Sequence, residues 1–129
     1  MSGMKNEECR MKNIIEEKSF EFAVSIVKKM RDVRQKHREY DLTGQLVRSA
    51  TSIGANVAEA QKGYSKKEFT AKMSISLKEA NEACYWLRLM TSTGYLEAGE
   101  GMELQKQADE VVRILSSIVK SSKESKEYS

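Results

Sequence analysis

The chain contains no proline in 129 residues. Loops and β-rich folds use proline freely, whereas helix interiors exclude it, because proline lacks a backbone N–H and clashes with the preceding turn. The missing proline therefore predicts an all-α fold. A chain of this length is expected to form one domain, and its 40% of hydrophobic residues can supply a core.

Apolar residues recur at helical spacing in four segments. These segments cover about residues 14–36, 42–61, 65–92 and 101–121. The connections are short, so consecutive helices must be antiparallel neighbours, and this predicts an up-down-up-down four-helix bundle. The expected organisation is a charged flexible leader (1–12), the bundle (13–121) and a polar tail (122–129).

Three sites carry helix-capping signals. Asp41 is the expected N-cap of the second helix, since its side chain can accept from free backbone N–H groups. Ser65 and Glu68 have the spacing of a capping box for the third helix. Gly94 is the expected end of that helix.

The apolar stripes indicate which side chains form the core. The main stripe of the first helix comprises Phe20, Ala23, Val24, Val27 and Met30. The stripe of the second helix comprises Leu42, Leu46, Ala50, Ile53 and Val57. The stripe of the third comprises Phe69, Met73, Leu77, Ala80, Cys84 and Leu87, and that of the fourth Leu104, Ala108, Val111, Leu115 and Ile118.

Two helices have more apolar surface than one core needs. Phe22 and Ile26 lie off the main stripe of the first helix, and Ile75, Trp86 and Leu89 lie nearly opposite the stripe of the third. A wide apolar belt indicates a second partner. Because the first and third helices are diagonal, two different patches would meet between copies and close into a ring-like homo-oligomer. The alternative is that long helices wrap the core unevenly.

Positive charge is concentrated in the middle of the chain. Residues 26–72 hold 11 Lys or Arg against 5 Asp or Glu, a balance of +6, whereas residues 1–25 and 73–129 stand at −1 and −2. Clustered cations attract polyanions. The candidate nucleic-acid-binding residues are Lys28, Lys29, Arg31, Arg34, Lys62, Lys66 and Lys67. The alternatives are a simply solvated basic face, or two clusters at opposite ends of the bundle that only an oligomer joins.

A second set of polar residues predicts contacts between helices. A turn centred near Gly63 places Arg48 opposite Glu79, with Glu82 one turn further on. A planar guanidinium can hold carboxylates with two hydrogen bonds, so we expect Arg48 within about 6 Å of one of them. The full set expected to pair structurally is Arg48, Asn56, Glu59, Glu79 and Glu82.

The sequence contains few of the residue patterns that catalytic or metal sites require. A di-iron interpretation of the paired glutamates needs two Glu-x-x-His motifs, but His37 is the only histidine. Cys84 falls on the core face and is expected to be an inert buried thiol. We therefore expect no enzyme activity, no catalytic residue, no metal and no cofactor.

The sequence also bears on where the chain acts. The N-terminal residues alternate charges where a signal peptide needs an apolar stretch. No segment approaches the roughly 20 apolar residues that span a bilayer, and Cys9 and Cys84 make no disulfide framework. A cytoplasmic protein with no membrane partner is the expectation.

Several separated runs resemble one bacterial protein family. They are EKSFEFAVSIVKKM (17–30), LTGQLVRSATSIGANVAEAQ (42–61), SKKEF (65–69), MSISLKEANEACYWLRLM (73–90) and TGYL (93–96). In this order and spacing they resemble the four-helix-bundle proteins first recognised as encoded in intervening sequences of 23S ribosomal RNA genes. The positions that match the family's polar and aromatic pattern are Arg48, Ser52, Asn56, Glu59, Lys66, Lys67, Glu79, Asn81, Glu82 and Trp86.

The resemblance carries functional expectations of its own. That family is similar to the accessory variability determinant of diversity-generating retroelements, a basic pentameric barrel that binds nucleic acid and a reverse transcriptase. The resemblance thus implies a pentameric ring with a nucleic-acid role. We expect a non-enzymatic, oligomeric bundle that binds RNA or DNA through a basic surface. The alternative is an accessory or scaffold subunit that docks another polypeptide through its apolar stripes, without nucleic acid.

Overall fold

The computed structural model describes residues 3–63 and 65–126 and contains four α-helices. They are α1 (Gly3–His37), α2 (Asp41–Gln61), α3 (Lys66–Ser92) and α4 (Ala98–Lys126). Each helix packs against its neighbours in sequence, and α1 also packs against α4. Within the described residues, the backbones of the diagonal pairs α1–α3 and α2–α4 do not approach each other closely. The predicted all-α, up-down-up-down four-helix bundle is confirmed.

Both ends of α3 have the predicted caps. The Ser65 hydroxyl accepts a hydrogen bond from the backbone N–H of Glu68 at 3.1 Å. At the other end Gly94 adopts a positive φ of 87°, a conformation that glycine reaches without a steric cost. The N–H of Tyr95 then donates to the Met90 carbonyl at 3.0 Å, which satisfies one of the last free carbonyls of the helix.

The start of α2 is capped by Glu39, so the prediction of Asp41 as N-cap is wrong. Asp41 is already the first helical residue, and Tyr40, which precedes it, makes no side-chain cap. The Glu39 carboxylate accepts from the backbone N–H groups of Asp41, Leu42 and Thr43, at 2.9–3.1 Å. Glu39 lies one residue before the N-cap position, and its longer side chain accepts from the backbone N–H groups that an N-cap side chain normally satisfies.

The buried stripes of α2 and α4 agree with the sequence pattern, while that of α1 is rotated. The buried residues of α1 are Ile15, Ser19, Phe22, Ile26, Met30 and Val33. Phe20, by contrast, is 68% exposed, and Val24 and Val27 are also exposed. The prediction of Phe22 and Ile26 as oligomer-interface residues is therefore wrong, because both side chains lie in the core of a single molecule.

A small polar residue lies on the buried stripe of α1. Ser19 occupies a core position and faces Gly54 on α2, where an added Cβ would lie 3.7 Å from the Ser19 hydroxyl, an ordinary van der Waals distance. The buried hydroxyl donates to the Glu16 carbonyl of its own helix at 3.2 Å, so burying it leaves no unsatisfied group. A pattern that counts only apolar residues misses Ser19 and selects the neighbouring stripe.

Two helices extend further than the sequence pattern indicates. α1 includes residues 3–12, which the pattern places in the leader, and α4 runs to Lys126, within the predicted tail. No proline or glycine occurs between residues 4 and 43, so the sequence contains no helix breaker that would make α1 begin later. At the end of α4, Ser122 is buried and its hydroxyl pairs with that of Thr70. Among the described helices, none combines the length and apolar character that crossing a membrane requires.

Candidate nucleic-acid interface

The two predicted basic clusters lie at opposite ends of the bundle. Lys29 pairs with Glu100, and the His37 ring lies 5.2 Å from the Tyr95 ring, so the first cluster shares its end with the α3–α4 connection. Gln61 donates to the Lys12 carbonyl at 3.0 Å, which places the early part of α1 beside the α2–α3 turn. A single molecule therefore has no basic patch that joins the two clusters.

The first cluster, at what we call the α1–α2 end, is largely offset by carboxylates. The basic residues between Lys28 and Arg38 share this end with Asp32, Glu39, Asp41, Glu97, Glu100 and Glu103. The Lys29 ammonium donates to Glu100 and holds the pKa of that carboxyl below its usual range. Arg34 donates through Nε to the Thr43 hydroxyl at 2.8 Å. Lys28 and Arg31 remain exposed.

The second cluster, at what we call the α2–α3 end, gains positive charge from the other two helices. Lys62, Lys66 and Lys67 are exposed at the turn itself. The bundle adds Lys12 from α1 and Lys120 and Lys123 from α4. The acidic residues near these lysines include Glu59, Glu68 and Glu124, together with Glu7, Glu16 and Glu17 within two turns of Lys12 on α1. The sequence interpretation missed the three additional lysines because they are far away in the chain. They could have been predicted from the antiparallel topology, which brings the early part of α1 and the last turns of α4 beside the α2–α3 turn.

An open cavity of about 350 Å³ lies at the α2–α3 end. All four helices contribute to its wall, which comprises Met11, Lys12, Ala60, Gln61, Gly63, Ser65, Lys66, Phe69, Ile118, Ser121 and Ser122. None of these described residues is acidic. The Lys12 ammonium lies 4.7 Å above the centre of the Phe69 ring, a cation–π arrangement. The sequence analysis did not predict this cavity, because its wall depends on how residues of all four helices come together at this end of the bundle.

Arg48 lies between α2 and α3, against both glutamates that the register predicts. Its Nη1 is 3.4 Å from each carboxylate oxygen of Glu79, and its Nη2 donates to Glu82. The Arg48 side chain is 50% exposed, so solvent screens these pairs and they contribute modestly to stability. Their geometric role, holding the register of α2 on α3, is the more important one.

Glu82 accepts hydrogen bonds from three side chains, Trp86, Arg48 and Ser49. The Trp86 indole N–H donates to Glu82 Oε1 at 3.1 Å, and this bond, together with those from Arg48 and Ser49, lowers the pKa of the Glu82 carboxyl. Trp86 is half-buried and makes an edge contact with the exposed Tyr85, at 5.1 Å between ring centres. The indole N–H is thus already paired inside the molecule.

The remaining residues of the predicted pairing set do not bridge helices. Asn56 donates through Nδ2 to the Ser52 carbonyl at 2.8 Å, a bond within α2. The prediction of Asn56 as a cross-helix partner is therefore wrong. The backbone carbonyl of Ser52 lies one helical turn before Asn56, so the amide bonds to its own helix and not to α3. Glu59 lies exposed near the end of α2.

Apolar surface remains on two diagonal helices. On α1 the exposed side chains are Ile14, Phe20, Val24 and Val27, which we call the α1 patch. Phe20 and Ala23 border a groove with Thr51, Ala55 and Ala58 of α2. On α3 the exposed side chains are Ile75 and Tyr85, with Trp86 and Leu89 half-buried beside them, and we call these the α3 patch.

The titratable groups give little support for a reactive centre. Burial raises the pKa of the Cys84 thiol, and the nearby Asp109 carboxylate acts in the same direction. A thiol in this environment stays protonated and is a poor nucleophile. Among the residues that the structure describes, no three His, Cys, Asp or Glu side chains are arranged to hold a metal ion.

Comparison with known proteins identifies the family of this bundle. A family model described as "23S rRNA-intervening sequence protein" matches residues 11–117. The chain belongs to this family. A similar solved structure is that of a protein of unknown function from the S23 ribosomal protein family of Bacteroides thetaiotaomicron VPI-5482. It has a TM-score of 0.83 and 38% sequence identity, over 85% of this chain and 98% of that one. No curated protein matches the chain.

In this member of the 23S rRNA-intervening sequence protein family, we expect Trp86→Phe to raise the pKa of Glu82, because the variant removes the indole N–H donor. A depressed carboxyl pKa stabilises the fold above the unfolded-state pKa, and this contribution disappears as the pH falls through the folded-state value. The variant should therefore lose less stability on acidification than the wild type. NMR titration of the Glu82 carboxyl measures the shift directly.

Tyr85→Phe is the matched control, since it keeps an aromatic ring beside Trp86 and leaves the Glu82 bond in place. An unchanged Glu82 titration in Trp86→Phe would contradict the assignment of the indole as its main donor.

Proposed function

We propose that this chain is a non-enzymatic, oligomeric helical-bundle protein of the cytoplasm that binds RNA or DNA through its α2–α3 end. The observation that carries the proposal is the convergence at this end of lysines from α1, α3, α4 and the α2–α3 turn, namely Lys12, Lys62, Lys66, Lys67, Lys120 and Lys123. The α1–α2 end has a similar number of cations, but carboxylates offset them.

The chemistry of this end favours contact with the phosphate backbone over base reading. Lysine ammonium groups bind phosphates as point charges, and such contacts position a protein without specifying sequence. Each phosphate that a lysine neutralises releases condensed counterions, so affinity depends steeply on salt. A long groove is unnecessary if several copies of the α2–α3 end act on one strand.

Assembly into a ring would supply those several copies. The α1 patch and the α3 patch lie on diagonal helices and have different shapes, so an interface between them is heterologous and closes only when the rotation allows. The groove beside Phe20 is lined by small α2 residues, which leaves room for large side chains such as Ile75 and Tyr85. A pentamer would present five α2–α3 ends and raise affinity through effective concentration.

We expect Phe20→Ser to weaken the oligomer while leaving the helices intact, because Phe20 is 68% exposed and contributes nothing to the core of one molecule. Met102→Ser is the matched control, since Met102 is similarly exposed at 61% and belongs to neither patch. Sedimentation velocity at micromolar concentration, with circular dichroism for helicity, measures both effects. A monomeric wild type, or a Phe20→Ser variant that sediments like the wild type, would contradict the ring.

For nucleic-acid binding, we expect the double variant Lys66→Glu, Lys67→Glu to weaken binding to all RNA and DNA sequences alike. On duplex DNA the log–log salt slope should fall by about 0.9 for each phosphate that the variant no longer neutralises. The matched control is Lys28→Glu, Arg31→Glu, which makes the same charge change at the α1–α2 end and should bind more tightly than the first variant. Fluorescence anisotropy between low and physiological salt gives both quantities.

Two outcomes would contradict this assignment. Equal weakening of binding in the two double variants would mean that overall charge, and not the α2–α3 end, attracts the nucleic acid. No binding by the wild type at low salt would favour the other function class, an accessory subunit that docks a polypeptide through its apolar patches.

A further inference from the structure

The cavity at the α2–α3 end combines two features that rarely occur together on a simple basic surface. Its floor is mainly apolar. Ala60 and Ile118 form it, with Met11 and Phe69 half-buried beside them, and the one buried polar group among the described lining residues, the Ser122 hydroxyl, is paired with Thr70. Its rim carries the ammonium groups of Lys12 and Lys66 and several hydroxyl and amide groups. A ligand that fits must therefore have an apolar part and an anionic part.

We propose that this cavity binds one nucleotide, with the phosphate at the lysines and the base against the apolar floor. The inference rests on the proposed function where the nucleotide belongs to a strand, and it gives that function a specific subsite. The volume of about 350 Å³ falls within the range of roughly 300–1,000 Å³ that is typical of small-molecule sites. A free nucleoside monophosphate and an unpaired nucleotide in RNA or DNA both combine a base with an anionic phosphate.

Charge in the cavity favours an anion over a neutral or cationic ligand. The described lining residues include two lysines, Lys12 and Lys66, and no acidic residue, so the wall itself carries a net positive charge. The apolar part of the wall lowers the effective dielectric constant, which strengthens attraction for a phosphate. Inorganic phosphate alone would leave the apolar floor in contact with water, and a purely apolar ligand would desolvate both ammonium groups.

Phe69 and Lys12 indicate how the base and the phosphate are separated. The ammonium lies 4.7 Å from the ring centre, so a cation already occupies one face of the aromatic ring. Aromatic side chains bind bases by stacking, and such contacts tolerate any base. The Lys12 carbonyl accepts a hydrogen bond from Gln61, which anchors the Lys12 backbone near the rim. The side chain can then turn its ammonium from the Phe69 ring toward a phosphate.

The first test is calorimetric titration of the full chain with AMP, adenosine and inorganic phosphate. AMP should bind more tightly than either adenosine or phosphate, because it alone satisfies both parts of the cavity. Lys12→Gln, Lys66→Gln should reduce AMP affinity roughly tenfold or more, the reduction expected when hydrogen bonds to a charged group are removed. The control Lys28→Gln, Arg31→Gln removes the same charge at the opposite end and should bind AMP like the wild type.

The second test fills the cavity and leaves the charge unchanged. Ser121 is an exposed rim residue of α4, so Ser121→Trp should block the cavity without disturbing the core. Ser116→Trp places the same side chain at an exposed α4 position outside the cavity and is the matched control. Only Ser121→Trp should abolish AMP binding, with the thermal unfolding temperatures of the two variants as a check on folding.

Oligonucleotide binding by these variants separates the two sources of the nucleotide. Weaker binding of single-stranded RNA by Ser121→Trp, with AMP as a competitor in the wild type, supports an unpaired nucleotide of a strand. AMP binding with unaffected RNA binding supports a free nucleotide. AMP binding without any RNA or DNA binding supports the cavity and overturns the proposed function. No AMP binding, with RNA bound equally by both tryptophan variants, overturns the cavity inference and leaves the proposed function standing.

Discussion

The packing of α2 against α3 fixes the position of the other parts of the bundle. Small buried residues, Ser49 and Ala50 on α2 and Ala80 and Ala83 on α3, allow the two helices to approach closely. Between the helices the Ser76 hydroxyl donates to the Ile53 carbonyl at 2.8 Å, and at the surface Arg48 spans Glu79 and Glu82. A hydrogen bond to a backbone carbonyl and a planar guanidinium both require one register. A slip by one residue would break both.

That register gives the two ends of the bundle different electrostatic character. It puts the α2–α3 turn, with Lys62, Lys66 and Lys67, at one end, and α1 and α4 then bring further lysines to the same place. At the other end the start of α4 brings carboxylates, and the pair between Lys29 and Glu100 illustrates the result. A chain with a formal net charge of only +3 thus gathers six lysines at one end. The cavity lies at this same end.

The sequence was sufficient for features that depend on local spacing. The stripes of α2 and α4, the caps at Ser65 and Gly94, and the position of Arg48 all follow from helical periodicity and one short turn. Features that depend on packing across the bundle were not predictable. Ser19 is a buried polar residue that a count of apolar residues misses, and the buried stripe of α1 therefore includes Phe22 and leaves Phe20 exposed. The cavity depends on residues of all four helices coming together at one end of the bundle, which no single segment reveals.

We propose above that nucleic acid binds the bundle at its α2–α3 end. The most direct test is photocrosslinking of 4-thiouridine RNA to the wild-type protein near physiological salt, with mass spectrometry to locate the adducts. We predict adducts on the peptides that contain Lys12, Lys62 to Phe69, and Lys120. Adducts confined to the α1–α2 end, on the peptides between Lys28 and Arg38, would contradict the claim.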